Sequence, residues 1–402
     1  MFLIKLKNYF INFFLVLASV ILSLLVINII IIHFPSQKFF PRSLANSLPN
    51  ILITFYPDTY KKNNLENYVA IIGDSYSQGN GDAYLNGTYD YSIGHHLYKN
   101  SKKNYLTFGR AGFGSISAVS NLIKLHKISN LPNFIKNLNK PKSIIFFFYE
   151  GNDLEENFLE YSSLSKTNEY LYDFVLRRIN ENINLNSKDK LTSLFPLFSI
   201  TKDLYNHLNI LLKKLIQSDE NTNKKLLIIN RVKKLFGFTI VLDEEKEDKL
   251  IFNNSIKDNY YYRNIRPLQS AAGSLTTEEM SISLNIFFSS MKYIKSWSKT
   301  DNISIVYMPS PVSCYIWNEP IEYEYESKGF ANVKTISNEE NTLKSRFIRK
   351  KIEKFSKKNN IKFFDLTEYI KNMNKILHGP LDWRHFNYDG YKMISDYLVK
   401  SL

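Results

Sequence analysis

The sequence has almost no cysteine: among its 402 residues only Cys314 carries a thiol. A lone cysteine excludes an intramolecular disulfide and any metal centre built from several cysteine ligands. Neither a histidine pair nor a second acidic cluster accompanies the acidic run Asp153, Glu155 and Glu156, so this run does not predict a metal site. We therefore expect the protein to use no metal and no other cofactor.

Acidic side chains are outnumbered, because 38 aspartates and glutamates stand against 52 lysines and arginines and leave a net charge of +14. Such a surplus is compatible with nucleic acid or anionic lipid as a partner. However, the chain is rich in lysine, asparagine and isoleucine throughout, and no recognition module of interleaved aromatic and basic residues appears. We predict no role in binding nucleic acid.

Charge is missing altogether from the run 9–32, YFINFFLVLASVILSLLVINIIII. At about 1.5 Å per residue, this run is long enough to cross a hydrocarbon core of about 30 Å. It is longer than the apolar part of a usual signal peptide, and no cleavage site of small residues follows it. We predict a membrane anchor over 1–34 and a connecting segment over 35–67. Basic residues flank the run on both sides, so its orientation is weakly specified; we expect the rest of the chain on the periplasmic or extracellular side.

Short apolar runs alternate with longer amphipathic ones beyond residue 67. This alternation predicts an α/β domain over 68–402 with a parallel sheet and right-handed crossovers. Continuous apolar runs are typical of strands buried on both faces. The stretch 154–270 breaks the alternation and is predicted to be a helical insertion over one edge of the sheet. Strands are predicted at 68–73, 105–109, 143–151, 303–308 and 361–366, and helices near 92–99, 115–127, 275–297, 342–358 and 389–400.

Four short blocks of small and polar residues follow predicted strands or precede the last helix. They are IIGDSYSQG (71–79), GRAGFGS (109–115), EGND (150–153) and DWRHFNYDGY (382–391). A lone Gly-Asp-Ser is compatible with an ordinary turn in which Asp74 or Ser75 caps the next helix. The occurrence of all four blocks in this order instead favours a catalytic site.

These residue types suit acyl transfer. A serine hydroxyl becomes an effective nucleophile when a histidine removes its proton, and the carboxylate of Asp-x-x-His can hold the other imidazole nitrogen. Negative charge that develops on a carbonyl oxygen needs donors, which a glycine N–H and an asparagine amide can supply. His95 and His96 are rival bases, although no acid stands three residues before either, and Ser310 is a rival nucleophile without a matching base.

The order Gly-Asp-Ser, glycine, Gly-Asn-Asp, Asp-x-x-His resembles the SGNH or GDSL hydrolase family over residues 68–153 and 303–401. The resemblance implies a three-layer sandwich around a parallel sheet. It also implies a nucleophile, a base and an orienting acid, together with three oxyanion donors. The implied residues are Ser75, His385 and Asp382 for the first group, and Ser75, Gly112 and Asn152 for the donors.

Three positions differ from the family pattern or leave it open. Gly114 is an alternative to Gly112 as the backbone donor. Thr107 stands where the family often carries an asparagine. Tyr76 stands where the family name has leucine, and we expect little effect because that side chain performs no chemistry.

The implied function is serine-dependent hydrolysis of an ester in the cell envelope through an acyl-enzyme. One alternative is an O-acetyltransferase that modifies a cell-surface polysaccharide, and another is a binding protein with an inactive site. Tyr315, Trp317 and Trp383 are expected at the rim of the site, where their rings would pack on sugars or line a pocket for an acyl chain. The sequence predicts no particular protein partner.

Overall fold

A computed structural model describes most of the chain, and its described residues divide into two compact units. The first unit contains the residues up to Tyr56 and those from 185 to 205; the second contains the others. The middle of the predicted insertion, 206–267, lies outside the described residues. The described ranges are 2–34, 48–57, 59–61, 65–88, 90–130, 137–166, 168–197, 200–202, 205, 268–315, 317, 321–327, 330–373, 375–379 and 382–402.

The first unit begins with one long helix, α1 (Phe2–His33). Its part from Asn12 to His33 has a mean hydropathy of 3.1 and is long and apolar enough to cross a membrane. Most apolar side chains in this part are exposed, as a helix that meets lipid requires. The anchor and its orientation remain predictions. The unit also contains α2 (Asn50–Phe55) and α9 (Ser187–Leu194).

Five parallel strands form the sheet of the second unit, which confirms the predicted α/β class. In spatial order they are β2 (Asn104–Thr107), β1 (Tyr68–Gly73), β3 (Ser143–Tyr149), β4 (Ile303–Met308) and β7 (Lys362–Asp365). The strand order reverses direction between β1 and β3. In open parallel sheets, such a switch point leaves a crevice at the carboxyl ends of the strands, where ligands bind.

A two-stranded antiparallel hairpin, β5 (Ile321–Ser327) and β6 (Phe330–Ile336), was not predicted from the sequence. Ile321, Tyr323 and Ile336 are buried, so one face of the hairpin packs against the rest of the unit. Tyr323 also forms an isolated parallel bridge with Leu268.

Helices cover both faces of the sheet, as right-handed crossovers require. Phe147 and Tyr149 of β3 share an apolar cluster with Leu97 and Leu398, whereas the alternate residues Phe146 and Phe148 contact Phe287 on the other face. The remaining helices are α3 (Ser75–Gln78), α4 (Asp82–Leu85), α5 (Ile93–Ser101), α6 (Ser115–Ser129), α7 (Asp153–Leu164), α8 (Leu171–Ile183), α10 (Thr277–Ser298), α11 (Pro311–Cys314), α12 (Asn338–Lys358), α13 (Thr367–Lys371) and α14 (Tyr388–Ser401).

Helices α7 and α8 lie within the stretch that was predicted as an insertion over a sheet edge. They pack instead against α6 and α10. The Ser283 hydroxyl of α10 donates to the carbonyl oxygen of Leu154 in α7 over 2.8 Å. The rings of Tyr161 in α7 and Phe174 in α8 pack edge to face. These helices therefore extend the helical layer on one face of the sheet.

Candidate active site

Ser75 lies where β1 ends and α3 begins, at the switch point of the sheet. Asp74 caps α3, because its carboxylate accepts the backbone N–H of Tyr76 over 2.9 Å. Gly73 has a φ of +138°, and a Cβ on this residue would lie 2.4 Å from the carbonyl oxygen of Phe147. The chain can therefore turn sharply after β1 only with glycine at this position.

The predicted base lies within hydrogen-bonding distance of both the predicted nucleophile and the predicted acid. Ser75 Oγ is 2.7 Å from His385 Nε2, and His385 Nδ1 is 2.7 Å from Asp382 Oδ2. Burial favours a higher pKa for Asp382, but the hydrogen bond and charge of His385 outweigh burial and hold that pKa below its usual value. Asp382 is thus a carboxylate at neutral pH, in the position that would hold the imidazole and stabilise its protonated form.

The predicted oxyanion donors line the same cleft as Ser75 and His385, a cleft of about 200 Å³. Asn152 precedes α7 but makes no capping hydrogen bond, and its Oδ1 is buried without a partner in the described part of the chain. Its amide is therefore not committed to the helix. Gly112 has a φ of +74°, which favours glycine, and a Cβ there would meet only Glu156 within 4 Å.

Gly114, the alternative backbone donor, is not among the residues that line the cleft. A Cβ on Gly114 would lie 2.8 Å from Asn157 Oδ1, the same oxygen that accepts the N–H of Ser115 over 2.7 Å. Gly112 lines the cleft together with Ser75, which favours it over Gly114 as the backbone donor. Thr107, which replaces the family's frequent asparagine, is buried with no hydrogen-bond partner for Oγ1 among the described residues.

A buried carboxylate that the sequence analysis missed holds the loop before Asn152. Glu150 is fully buried and accepts both the backbone N–H and the hydroxyl of Ser310, each over 2.9 Å. The hydroxyls of Tyr307 and Ser313 donate to it as well. Ser310, the rival nucleophile, is thus engaged with Glu150. These bonds tie the ends of β3 and β4 together, next to the predicted oxyanion donor.

Two further carboxyl groups are buried close to the nucleophile. Burial raises the pKa of Asp74 to about 6, although the nearby His385 opposes this effect. Burial also raises the pKa of Asp153 well above its usual range, and the charge of Asp74 adds to the rise. One oxygen of Asp153 accepts the N–H of Tyr149 over 3.0 Å.

Tyr76 is more important to the site than the sequence analysis expected. Its side chain is fully buried, its ring centroid lies 5.0 Å from that of His385, and its hydroxyl donates to the carbonyl oxygen of Arg384. The expectation that this position has little effect stays a prediction, but it did not take into account that the side chain directly contacts the loop that carries the base.

The residues that follow the nucleophile, GNGD (79–82), also hold this loop. Asp82 Oδ1 accepts the backbone N–H of Asp382 over 2.7 Å. Gly81 has a φ of +140°, and a Cβ on it would lie only 2.1 Å from the carbonyl oxygen of Phe386. Two glycines and an acid shortly after Gly-Asp-Ser were a signal for such a close approach, and it was missed.

The rival histidines do not line the cleft. His95 and His96 lie in α5, where the buried ring of His96 packs edge to face on Tyr388. Burial lowers the pKa of His96 to about 4, which is too low for a general base near neutral pH. His385 is the histidine that the structure brings to Ser75.

The aromatic rim that was predicted for the site is wrong. Trp317 and Trp383 are 7% and 8% exposed and lie in an apolar cluster beside β5, and the hydroxyl of Tyr315 bonds to His378. The cleft instead includes Tyr325 of β5, which the sequence analysis did not identify. Its other polar lining comes from Asn80, Glu155, Glu156, Gln269 and Arg384.

No group of three histidine, cysteine, aspartate or glutamate side chains in the described ranges could hold a metal ion. No family model matches the chain, and no curated protein matches it. The function of the site therefore has to be argued from its geometry and from the residue pattern.

Proposed function

We propose that the protein is a serine-dependent ester hydrolase that acts through an acyl-enzyme on Ser75. The observation that carries the proposal is the continuous hydrogen-bonded line from Ser75 Oγ through the His385 ring to Asp382, with both distances at 2.7 Å. This arrangement of a nucleophile, a base and an orienting acid recurs on unrelated folds in enzymes of acyl transfer.

The proposed reaction has two halves with the same proton carrier. His385 Nε2 takes the proton of Ser75 as Oγ attacks the ester carbonyl, and Asp382 stabilises the imidazolium that forms. The imidazolium then gives this proton to the departing alcohol, which leaves the acyl group on Ser75. A water molecule then loses a proton to His385 and attacks the acyl carbon. The bond from this carbon to Ser75 Oγ breaks, and the imidazolium returns the proton to Oγ, which releases the acid and the free serine.

The oxyanion in each half would be held by the N–H groups of Ser75 and Gly112 and by the amide of Asn152. These donors are uncharged, and they act on charge that develops only in the transition state. The bonds between Glu150 and the end of β4 hold the loop that carries Asn152. The donors are therefore positioned before the substrate arrives.

Replacement of Asn152 by alanine is expected to lower kcat by about 10²–10³-fold with little change in KM. The measurement is steady-state cleavage of a chromogenic acetyl ester by the full chain in detergent. Asn302→Ala is the matched control, because Asn302 bonds to Ser143 at the opposite end of the sheet and should leave kcat unchanged. A loss confined to KM would place Asn152 in ground-state binding and not in the oxyanion site.

The size and polarity of the cleft favour a short acyl group. Its volume of about 200 Å³ lies below the usual range for sites of drug-sized ligands, and most of its side chains are polar. A long acyl chain would have little apolar surface to contact. The proposed substrates are therefore esters of small acids, acetate above all, with polar alcohols.

Acyl-chain selectivity tests this restriction. The value of kcat/KM is expected to be highest for 4-nitrophenyl acetate and to fall about 10-fold or more for each of the first methylenes that the cleft cannot accept. Ser75→Ala provides the background rate. A higher kcat/KM for the dodecanoate ester than for the acetate would contradict the assignment of a short acyl group.

An O-acetyltransferase is the second candidate, because the same acyl-enzyme can pass its acyl group to a sugar hydroxyl. Tyr325 and the polar lining offer a flat ring and hydrogen-bonding groups to such an acceptor. Product masses measured with and without oligosaccharide acceptors separate the two activities. Free acetate alone supports the hydrolase, and acetylated sugar that depends on Ser75 supports the transferase. If α1 is a membrane anchor, either activity belongs to the cell envelope.

A further inference from the structure

A buried histidine that the proposed reaction does not use lies behind His385. His378 is 1% exposed and has a tyrosine hydroxyl at each ring nitrogen. Its Nδ1 is 2.8 Å from the hydroxyl of Tyr315, and its Nε2 is 3.4 Å from the hydroxyl of Tyr76. The Tyr315 hydroxyl also accepts the backbone N–H of Leu377 over 2.9 Å.

These contacts form a series of hydrogen bonds that begins at the N–H of Leu377 and ends at the carbonyl of Arg384. The groups at the two ends determine the direction of each hydrogen bond. The carbonyl of Arg384 can only accept, so the Tyr76 hydroxyl donates to it and must itself accept from His378 Nε2–H. A neutral imidazole with its proton on Nε2 has only an acceptor at Nδ1, so the Tyr315 hydroxyl, which accepts the N–H of Leu377, donates its own proton to Nδ1. A neutral imidazole with its proton on Nε2 satisfies both contacts.

The surroundings keep this imidazole neutral. Burial, helped by the charge of the nearby His385, lowers the pKa of His378 to about 3 against the weaker opposite effect of Asp382. The ring of His378 also packs on Phe386 with 4.5 Å between centroids, and the backbones of these two residues form an isolated antiparallel bridge. The hydrogen-bond directions should therefore persist across the range of pH in which His385 would act.

We propose that Tyr315, His378 and Tyr76 form a directed hydrogen-bond chain that positions His385 against Ser75. The proposal rests on the proposed function in that it treats His385 as the base. Tyr76 is the neighbour of Ser75 in sequence, and its hydroxyl ends on the carbonyl of the residue before His385. The rigid side chain of Tyr76 thus fixes the distance between the nucleophile and the loop that carries the base. None of the three residues is assigned a contact with substrate, so they are positioning residues.

The hydroxyl of Tyr76 is the part of this arrangement that a leucine could not supply. Tyr76→Phe retains the ring that packs on His385 but removes the donor to Arg384 and the acceptor of His378 Nε2–H. The loop of the base is then held less closely, and a misplacement of about 1 Å can cost about 10²-fold in rate. We expect kcat for the acetyl ester to fall about 10- to 100-fold while KM stays within about 2-fold.

Tyr68→Phe is the matched control. Tyr68 is equally buried, and its hydroxyl donates to a backbone carbonyl, that of Asn139, over 2.9 Å. It stands at the opposite end of β1 from the site. Both variants should lose stability to urea to a similar degree, but only Tyr76→Phe should lose kcat. Equal kcat values for the wild type and Tyr76→Phe would overturn the proposal, as would equal losses in both variants.

The protonation of His378 is tested without any turnover, by nitrogen NMR of the full chain labelled at histidine. The signal that disappears in His378→Gln should have the shifts of the Nε2–H tautomer and should not titrate between about pH 5 and 8. A proton on Nδ1, or a titration in that range, would overturn the directed chain. If the predicted tautomer is found in a protein that cleaves no ester, the proposed function fails and the chain of hydrogen bonds stands.

Discussion

Loss of either Ser75 or His385 is expected to lower kcat by about 10⁴-fold or more, and loss of both should be hardly worse than loss of one. The physical reason is that the hydroxyl is reactive only while the imidazole takes its proton, across the 2.7 Å between Oγ and Nε2. The remaining rate comes from the oxyanion donors and from substrate binding alone. Steady-state cleavage of an acetyl ester by Ser75→Ala, His385→Ala and the double variant measures this.

The control for this set is His95→Ala, which removes a rival base from α5 and should leave kcat close to the wild-type value. Urea unfolding of every variant separates lost chemistry from lost folding. If the two single losses multiplied in the double variant, Ser75 and His385 would act independently, and the assignment of nucleophile and base would be wrong.

Asp382→Asn is expected to lower kcat by about 10⁴-fold while the fold is retained, a loss of the size known for the equivalent change in serine proteases. An asparagine oxygen can still accept the N–H of Arg384 that Asp382 Oδ1 accepts over 3.0 Å. However, the asparagine carries no negative charge to stabilise the imidazolium, and its amide N–H₂ can favour the wrong tautomer of His385. The measurement is again kcat for the acetyl ester.

The matched control is Asp365→Asn, because Asp365 pairs with Arg349 over 3.0 Å outside the cleft and its loss should leave kcat unchanged. Stability against acid gives a second readout. The pKa of Asp382 is lowered in the folded protein, so its contribution is present above the unfolded value of about 3.9 and is lost as pH falls through the lower folded value. An unchanged kcat in Asp382→Asn would contradict the role of Asp382 in orienting His385 and stabilising its imidazolium.

The parallel strands could be predicted, and the residues that the structure brings together at the cleft could be identified, because their sequence signals are local. Strand β1 reads as a continuous apolar run, and Ser75 stands directly at its end. The hairpin of β5 and β6 also has a local signal, the alternation in IEYEYES, but this period-two pattern of half-buried strands is unlike the apolar runs of the central sheet. Apolar runs alone therefore did not indicate the hairpin.

The contacts of aromatic side chains could not be predicted, because they depend on residues far apart in the chain. Tyr76 meets the Arg384 carbonyl across 308 positions of sequence, and nothing near Tyr76 indicates that partner. The same holds for Trp317 and Trp383, whose residue type suits a sugar-binding rim as well as a core. Their burial beside β5 follows from a hairpin that was itself not predicted.

The most direct test of the account is covalent labelling of the full chain in detergent with a fluorophosphonate, followed by peptide mass spectrometry. A serine that is activated by a histidine attacks the phosphorus of this reagent and displaces fluoride, whereas an ordinary buried or surface serine does not. The account predicts one label, on the peptide that contains Ser75, and none in the His385→Ala variant or in the denatured chain. Absence of a label in the folded wild type, or a label on another serine, would contradict the assignment of this site and favour a binding protein with an inactive cleft.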